Sequence, residues 1–158
     1  MSQKRIGIGF VGGGFITRFH IQSMIGVRNC DVLGVISRTR SSAEESASLA
    51  RTIGVGDAKV YNTVTEMVEE PSIDALWICA PNFTRLEIME EIYNAIDSGK
   101  GELIGVTCEK PLGRNVKEAK KVLELTQKAG LLDGYLENQV FAPSVTRGKE
   151  IIWSRGAK

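Results

Sequence analysis

Five glycines within eight positions constrain the fold of this chain more than any other feature of its sequence. They lie in the stretch "RIGIGFVGGGFITRFH", which runs from Arg5 to His20. An apolar run over 6–11 precedes the glycine triplet, and an amphipathic stretch follows it. A buried strand that passes through a glycine turn into a helix is typical of a parallel sheet with helices on its faces.

Two registers of the G-x-G-x-x-G dinucleotide-binding fingerprint fit this stretch. The literal match begins at Gly7 and leaves only the polar segment "MSQKRI" as a first strand. The other begins at Gly12, continues through Gly14 and has Thr17 in the third place. We select Gly12, because the first glycine belongs at the tight turn that leaves the strand. Gly14 is then expected to let the backbone approach a pyrophosphate, unless the glycines serve only the turn.

Apolar runs alternate with helical patterns along the rest of the chain. Six runs are predicted to be buried strands: "IGIGFVG", "DVLGVIS", "KVY", "DALWICA", "ELIGVTC" and "LDGYLENQVF". A capping residue three positions before a glutamate predicts helix starts at Ser41 or Ser42, Thr63, Thr84 and Asn115. The tail "VTRGKEIIWSRGAK" predicts one more helix. The alternation predicts an α/β fold with a doubly wound parallel sheet of the Rossmann type and flanking helices.

Composition limits the partners and the compartment. The 158 residues include 20 Lys and Arg against 19 Asp and Glu, which gives no electrostatic reason to expect nucleic acid as a partner. No apolar run approaches the roughly 20 residues of a membrane span, and no secretory leader is recognisable. The three cysteines have no close spacing, so we expect reduced core residues in a cytoplasmic protein and no metal site.

The end of the second predicted strand bears on the choice of cofactor. In the text "GVISRTR", Ser37 occupies the place where an NAD site has an acidic residue, and Arg38 and Arg40 follow. A hydroxyl and two cations suit a 2′-phosphate, which favours NADP over NAD. A solvated basic loop is the alternative. The missing carboxylate also counts against a methyltransferase that binds S-adenosylmethionine.

Three further stretches complete a recognisable pattern. They are "WICAPNFTRLEI", "CEKPLGRNVKEA" and "GYLENQVFAP". With "GFVGGGFITRFH" they resemble the N-terminal half of the glucose–fructose oxidoreductase, inositol dehydrogenase and rhizopine-catabolism (Gfo/Idh/MocA) family, over essentially the whole chain. The "EKPL" box is the most specific part. The resemblance implies an oxidoreductase that transfers hydride between NAD or NADP and a sugar, an inositol or a related polyol.

The resemblance also implies a cofactor site distributed over the ends of several strands. The residues expected there are Gly12, Gly14, Phe15, Ile16, Ser37, Arg38, Ala80, Pro81, Asn82, Glu109, Lys110 and Asn138. The first four are expected to line the diphosphate, and the next two are expected to meet the adenosine ribose or its phosphate. The three residues of "APN" are expected under the nicotinamide-side ribose. Glu109 is expected to bind that ribose, and Asn138 is expected near the nicotinamide.

Lys110 is the candidate catalytic residue. A cation beside the cofactor and a substrate oxygen stabilises developing alkoxide charge, and its proton can enter the relay. Pro111 favours an extended backbone at Lys110, which aims the side chain away from the strand end. The plainer alternatives are an ordinary surface lysine at this place and, for Glu109, an ion-pair partner or a helix cap.

The sequence departs from the family's pattern after the fourth predicted strand, and its histidine content is low. Many relatives have "TPN" followed by a histidine, whereas "APNFTR" has Ala80 in place of the threonine and Arg85 in place of the histidine. Arg85 is therefore expected to alter the rim of the cleft. The chain has a single histidine, His20, which is expected to be a packed or capping residue and not a catalyst.

The domain organisation follows from the same resemblance. Residues 1–140 are predicted to form the NAD(P)-binding domain, and 141–158 the start of a connection to a C-terminal α+β substrate domain that this chain lacks. The chain alone is then expected to be incomplete for catalysis, and the longer protein is expected to form a homo-oligomer. The alternative is a free-standing NADP(H)-binding module without catalysis.

Overall fold

The computed structural model describes residues 5–156 and contains a six-stranded sheet in which every pairing is parallel. Its strands are β1 (Ile6–Val11), β2 (Cys30–Ile36), β3 (Lys59–Val60), β4 (Ala75–Ile78), β5 (Gly105–Glu109) and β6 (Leu132–Leu136). They are arranged in the order β3-β2-β1-β4-β5-β6. The winding reverses between β1 and β4, and a crevice opens at the carboxyl ends of strands at such a reversal.

Within residues 5–156, six α-helices connect the strands or follow them. They are α1 (Phe15–Ser23), α2 (Arg40–Thr52), α3 (Val64–Glu69), α4 (Arg85–Asp97), α5 (Val116–Lys128) and α6 (Pro143–Arg155). Short 3-10 helices occupy Met24–Gly26, Asn82–Thr84 and Asn138–Phe141. Helices α1 and α2 pack on one face of the sheet, and α3, α4 and α5 pack on the other. The predicted doubly wound Rossmann fold is confirmed.

The two ends of the chain limit what the structure tests. Residues 1–4 and 157–158 of the predicted domains lie outside the described residues, as do the last two residues of the predicted tail helix. The rest of that prediction is confirmed by α6. None of the helices within 5–156 is long and apolar enough to cross a membrane.

Strand β1 supplies both faces of the core. Ile8 and Phe10 are buried against the helices on the α1 side, whereas Val11 belongs to the cluster on the other face. Full burial of side chains of this size contributes about 1.5–3 kcal/mol each. A Cβ at Gly9 would collide with the terminal methyl of Met67, so the Met67 side chain packs over the strand where glycine has no side chain.

The structure decides the register of the glycine fingerprint. Gly7 and Gly9 lie inside β1, and the strand ends at Val11. Gly12 follows with a φ of +119°, which an L side chain rarely adopts, and a Cβ there would lie 2.9 Å from the backbone nitrogen of Ala80. The tight turn therefore requires glycine at position 12, as the selected register predicts.

Two of the four predicted helix caps are confirmed. The Thr63 and Asn115 side chains accept hydrogen bonds from the backbone N–H groups three residues on, at 3.0 Å each. The prediction at Ser41 or Ser42 is wrong, because α2 already begins at Arg40. The helix start predicted at Thr84 is confirmed, since Thr84 is the N-cap residue of α4. Its side chain does not cap the helix, however: the hydroxyl donates to the Pro81 carbonyl in the 3-10 turn that precedes α4.

The last predicted strand is shorter than the sequence indicates. The apolar pattern predicts 132–141, but β6 ends at Leu136, which pairs with Glu109. Pro111 follows two residues after Glu109 and has no N–H for a ladder, so a continued strand would have no partner there. The Glu137 side chain instead accepts from the Gln139 backbone N–H at 3.2 Å and opens the 3-10 helix.

Candidate functional site

A cleft of about 640 Å³ opens at the carboxyl edge of the sheet. The strand ends of β1, β2 and β4 meet there with the starts of α2 and α4 and with residues after β3. Its lining residues are Val11, Gly12, Gly13, Gly14, Ile36, Ser37, Arg38, Thr39, Ser42, Asn62, Val64, Cys79, Ala80, Pro81, Phe83, Thr84 and Ile88. The cleft therefore lies at the reversal of strand order, where open α/β sheets bind ligands.

The glycine turn forms one end of this cleft. Gly14 is the N-cap of α1, and a Cβ on it would meet no heavy atom within 4 Å, so the space beside it is open. Gly13 is closely packed instead, since a Cβ there would lie 2.8 Å from the Ser42 backbone. The first N–H groups of a helix lack intrahelical acceptors and favour an anion. The turn thus fits the diphosphate of a dinucleotide.

The loop after β2 forms a polar wall. Ser37 and Arg38 line the cleft, and Arg38 is exposed. Within the described chain its guanidinium has no hydrogen-bond or ion-pair partner. Arg40 differs, because its Nε donates to Glu44 at 2.9 Å and its Nη1 donates to Asn62 at 3.1 Å. The sequence suggests the same role for both arginines, but the structure distinguishes them. In the part of the chain that the structure describes, Arg38 is an unpaired cation that lines the cleft, whereas Arg40 is paired and does not line it.

The third wall follows β4. Ala80 is buried, Pro81 is exposed, and both line the cleft. Asn82 begins the 3-10 helix and is half-buried outside the lining, whereas Phe83 and Thr84 belong to it. This loop faces the glycine turn, because Gly12 packs directly on the backbone of Ala80.

Glu109 ends β5 with a buried carboxylate. Only 6% of the residue is exposed, its Oε1 lies 2.8 Å from Nε2 of His20, and its Oε2 accepts from the Lys110 backbone N–H at 3.1 Å. If Glu109 is an ion-pair partner, as the sequence allows, its partner is His20 in the protonated form. Glu109 is not the cap of α5, since Asn115 holds that place.

His20 is packed among aromatic rings. It lies edge-on to Trp77, with ring centroids 5.2 Å apart, and edge-on to Phe19 at 6.2 Å. Phe10 lies at 6.5 Å in a near-parallel orientation. The prediction that His20 is a packed residue is confirmed, and its second role, the contact with Glu109, is one that the sequence did not indicate.

Lys110 is exposed at the carboxyl end of β5, and the peptide bond to Pro111 is cis. Six of the predicted site residues line the cleft: Gly12, Gly14, Ser37, Arg38, Ala80 and Pro81. The other six do not: Phe15, Ile16, Asn82, Glu109, Lys110 and Asn138. Most of these second six lie at the starts or ends of helices and strands, and Asn138 opens the 3-10 helix after β6.

Arg85 is not itself exposed on the rim of the cleft: only 4% of it is exposed. Its guanidinium instead donates to backbone carbonyls, among them that of the lining residue Ala80. A sequence signal exists for this burial. Arg85, Met89 and Ile92 lie at helical spacing on one face of α4, and all three are buried.

Several lining residues were missed in the sequence, among them Gly13, Thr39, Ser42 and Asn62. Asn62 had a signal, because it follows β3 by two residues and so belongs to the same carboxyl edge as Ser37. No such signal points to Ser42. Its place in the cleft depends on where α2 begins, and the cap pattern predicts that start one or two residues too late.

The two buried cysteines near the site are poor nucleophiles. Burial raises the pKa of the Cys79 thiol to about 12 and that of the Cys108 thiol to about 11. Both thiols are therefore protonated at neutral pH, and the thiolate is the reactive form. Their chemistry is that of packed core residues.

Comparison with known proteins identifies the family. The Gfo/Idh/MocA family model, described as an oxidoreductase family with an NAD-binding Rossmann fold, matches residues 6–134. The chain is 29% identical to a 1,5-anhydro-D-fructose reductase of Ensifer adhaerens, over 80% of its own length. It is 27% identical to a myo-inositol 2-dehydrogenase of Thermotoga maritima, over 79% of its length. In both cases the match covers 34% of the relative.

Solved structures agree on the fold. The crystal structure of GenD2 from gentamicin A biosynthesis, in complex with NAD, superposes with a TM-score of 0.78 over 99% of this chain and 41% of that one, at 24% identity. An oxidoreductase from Thermotoga maritima gives 0.74 over 95% and 43%, at 30% identity. The chain thus spans well under half the length of the relatives it matches. The match of the family model over most of the chain shows that this protein belongs to the Gfo/Idh/MocA oxidoreductase family and contains its NAD-binding Rossmann domain.

Proposed function

We propose that this chain is the nicotinamide-dinucleotide-binding part of an oxidoreductase that transfers hydride between NAD(P) and a CH–OH carbon of a sugar, an inositol or a related polyol. The observation that carries the proposal is that Gly12, Gly14, Ser37, Arg38 and Ala80 all line one cleft. The names of two relatives, a reductase of anhydrofructose and a dehydrogenase of inositol, support the substrate class.

The proposed cofactor lies with its diphosphate on the glycine turn. The backbone N–H groups at the start of α1 bind the phosphate oxygens there, beside the open space at Gly14. Phe15 and Ile16 follow in the first turn of that helix and complete this end. When bound, the cofactor supplies the nicotinamide ring, whose fourth carbon gains or loses the hydride.

We further propose that the cofactor is NADP. An unpaired guanidinium at Arg38 and a hydroxyl at Ser37 meet the 2′-phosphate, because a charge-assisted bond to phosphate is stronger than one to a ribose hydroxyl. A carboxylate at position 37 would accept from two ribose hydroxyls, and this chain has none there. Thr39 and Asn62 add neutral polar groups to the same wall.

Lys110 is the proposed catalytic residue. Its exposed ammonium donates a hydrogen bond to the reacting oxygen of the substrate and stabilises negative charge that develops on that oxygen. In the direction of reduction, the same ammonium gives a proton to the alkoxide oxygen. Its place at the carboxyl end of β5 supports this role, since ligands bind at that edge of the sheet.

Glu109 and two asparagines complete the proposal. Each oxygen of the Glu109 carboxylate has one protein partner, so lone pairs are left to accept from a ribose hydroxyl. Asn82 is proposed under the same ribose and Asn138 near the nicotinamide. We propose the division into 1–140 and 141–158, with a substrate domain and a homo-oligomer in a longer protein.

A pair of calorimetric titrations of this chain, with NADPH and with NADH in the same buffer, tests the proposal. Tighter binding of NADPH is expected. Tighter binding of NADH would overturn the choice of cofactor, and no binding of either would overturn the assignment of the cleft in this chain. Turnover of the complete gene product with a panel of inositols and sugars then separates the enzyme from a module that binds NADP(H) without catalysis.

A further inference from the structure

A buried guanidinium joins two loops at the carboxyl edge of the sheet. The Nε of Arg85 donates to the carbonyl oxygen of Ala80 at 3.0 Å, and Nη2 donates to that of Lys110 at 3.3 Å. Nη1 donates to the carbonyl oxygens of Glu109 and Pro111. Among residues 5–156, no carboxylate forms an ion pair with Arg85. Hydrogen bonds to the backbone therefore hold this charge in place.

Such a contact is costly to break. A buried charge is tolerated only when hydrogen bonds replace its water, and here four carbonyl oxygens do so. The planar guanidinium has donors fixed in a fork, so it can span acceptors that belong to two separate loops. A lysine ammonium is a point charge with three donors and does not span the same set. While Arg85 is present, the two loops are held at one separation.

The three carbonyls on the β5 side belong to consecutive residues, and Lys110 is the middle one. The Lys110 backbone N–H is held as well, since it donates to the Glu109 carboxylate. Both peptide groups around Lys110 are thus fixed, while its side chain stays exposed. On the other loop, Ala80 lines the cleft, whereas Arg85 does not.

We infer that Arg85 is a positioning residue. By tying the Lys110 backbone to Ala80, it sets the place of the Lys110 ammonium relative to the wall of the cleft that follows β4, where the nicotinamide-side ribose is proposed to lie. The inference rests on the proposed roles of the cleft and of Lys110. It gives Arg85 no contact with cofactor or substrate. Its effect is expected on the chemical step and on the order of the Lys110 backbone, with cofactor affinity nearly unchanged.

Amide hydrogen exchange in this chain, followed by NMR, is the first test. In Arg85→Ala, the Lys110 amide should exchange at least about tenfold faster than in the wild type, because the carbonyls of Glu109, Lys110 and Pro111 have lost the guanidinium that anchors them. The matched control is Arg51→Ala, which removes a guanidinium that donates to the Ala58 carbonyl far from the cleft. It should leave the Lys110 amide unchanged. Guanidinium ion at a concentration far below denaturing should restore protection in Arg85→Ala.

Turnover of the complete gene product is the second test. Arg85→Ala should lower kcat by about 100-fold, the order of a misplaced catalytic group, while KM for the cofactor changes by a few fold. Added guanidinium ion should recover part of kcat. Unchanged protection of the Lys110 amide together with unchanged kcat would overturn the inference.

Two further outcomes remain informative. If Arg85→Ala does not fold, Arg85→Lys carries the test, and wild-type exchange and kcat in that variant would overturn the inference, because lysine cannot bridge the four carbonyls. If the wild-type chain binds neither NADPH nor NADH, the proposed function fails instead. The exchange experiment then still reports whether Arg85 orders the Lys110 backbone.

Discussion

The Nε2 atom of His20 lies 2.8 Å from the Oε1 atom of Glu109, across 89 positions of sequence. The contact joins α1, which begins at the glycine turn, to the end of β5, where the proposed catalytic lysine follows. Both side chains are largely buried, at 16% and 8% exposure. A bond in such surroundings is costly to leave unmade, because a largely buried carboxylate without its donor is left with the full cost of its desolvation.

Replacing His20 should therefore reduce stability. We expect His20→Ala to lower the free energy of unfolding by about 1–3 kcal/mol, since one oxygen of the buried carboxylate then lacks its donor. His20→Gln keeps an N–H donor and should lose less. Urea unfolding followed by Trp fluorescence measures both. The exposed pair of Lys128 with Glu124 is the control, and Lys128→Ala should have little effect. Equal stability of His20→Ala and wild type would contradict the structural role given to this contact.

Loss of the Lys110 ammonium should separate binding from chemistry. In the complete gene product, Lys110→Ala is expected to keep cofactor affinity within a few fold and to lose most hydride transfer, because the charge on the reacting oxygen is no longer stabilised. Steady-state kinetics with NADPH, alongside calorimetry, is the measurement. Lys117→Ala, at an exposed position in α5, serves as control. Turnover at the wild-type rate would remove Lys110 from the mechanism.

The two arginines after β2 should differ in their effect on the cofactor. Arg38→Ala is expected to weaken NADPH binding by about 1–3 kcal/mol, the order of a charge-assisted hydrogen bond, with little effect on NADH. Arg40→Ala should change NADPH binding less, since that guanidinium is already paired with Glu44 and Asn62. Calorimetry with both cofactors on both variants gives the comparison. Equal losses for NADPH and NADH in Arg38→Ala would count against a 2′-phosphate at this wall.

The two outer glycines of the triplet should respond in opposite ways to a methyl group. Gly12→Ala strains a φ of +119° and presses on the Ala80 backbone, so we expect a loss of about 1–3 kcal/mol in the free energy of unfolding. Gly14→Ala meets open space and should cost less stability, yet it should weaken dinucleotide binding by occupying the cradle. Urea unfolding and calorimetry on each variant test this. A destabilised Gly14→Ala with intact binding would reverse the assignment.

Stability should fall in alkaline solution. Burial raises the pKa of Cys79 to about 12 and that of Cys108 to about 11, from an ordinary value of 9.0. Above pH 9 the unfolded chain releases these protons and the folded chain keeps them, so the free energy of unfolding decreases as pH rises. At pH 10 the loss is about 1 kcal/mol per thiol. Urea unfolding under reducing conditions at pH 8 and pH 10 measures it, and Cys79→Ala should show a shallower dependence. An identical slope in that variant would exclude this thiol as a cause.

Much of the fold follows from local patterns, because each pattern has a local cause. Apolar runs locate all six strands, and the turn after Val11 follows from the need for glycine at a positive φ. Caps at Thr63 and Asn115 depend only on a side chain and the next turn. The end of β6 does not follow from a local pattern. It depends on the neighbouring strand β5, after which Pro111 has no N–H group to continue the ladder.

The site is predictable where it is made of loop residues at the carboxyl edge, and unpredictable where it is made of long-range contacts. Gly12, Ser37 and Arg38 can be predicted from the sequence, because each comes directly after a predicted strand. The partner of Glu109 lies 89 residues away, and that of Arg85 is the backbone of another loop. When a side chain bonds to backbone carbonyls far along the chain, no local sequence pattern predicts its partners.

The close packing of Gly12 on Ala80 and of Gly13 on Ser42 has a consequence for which substitutions the site tolerates. A side chain at either glycine would press on the backbone of the loop after β4 or of helix α2, so neither position can change without displacing a neighbouring element. Arg38, exposed and unbonded within the described chain, can be replaced with little effect on the fold. The glycine turn is thus tied to the packing of the domain, whereas the polar wall after β2 can be altered by single substitutions that leave the fold intact.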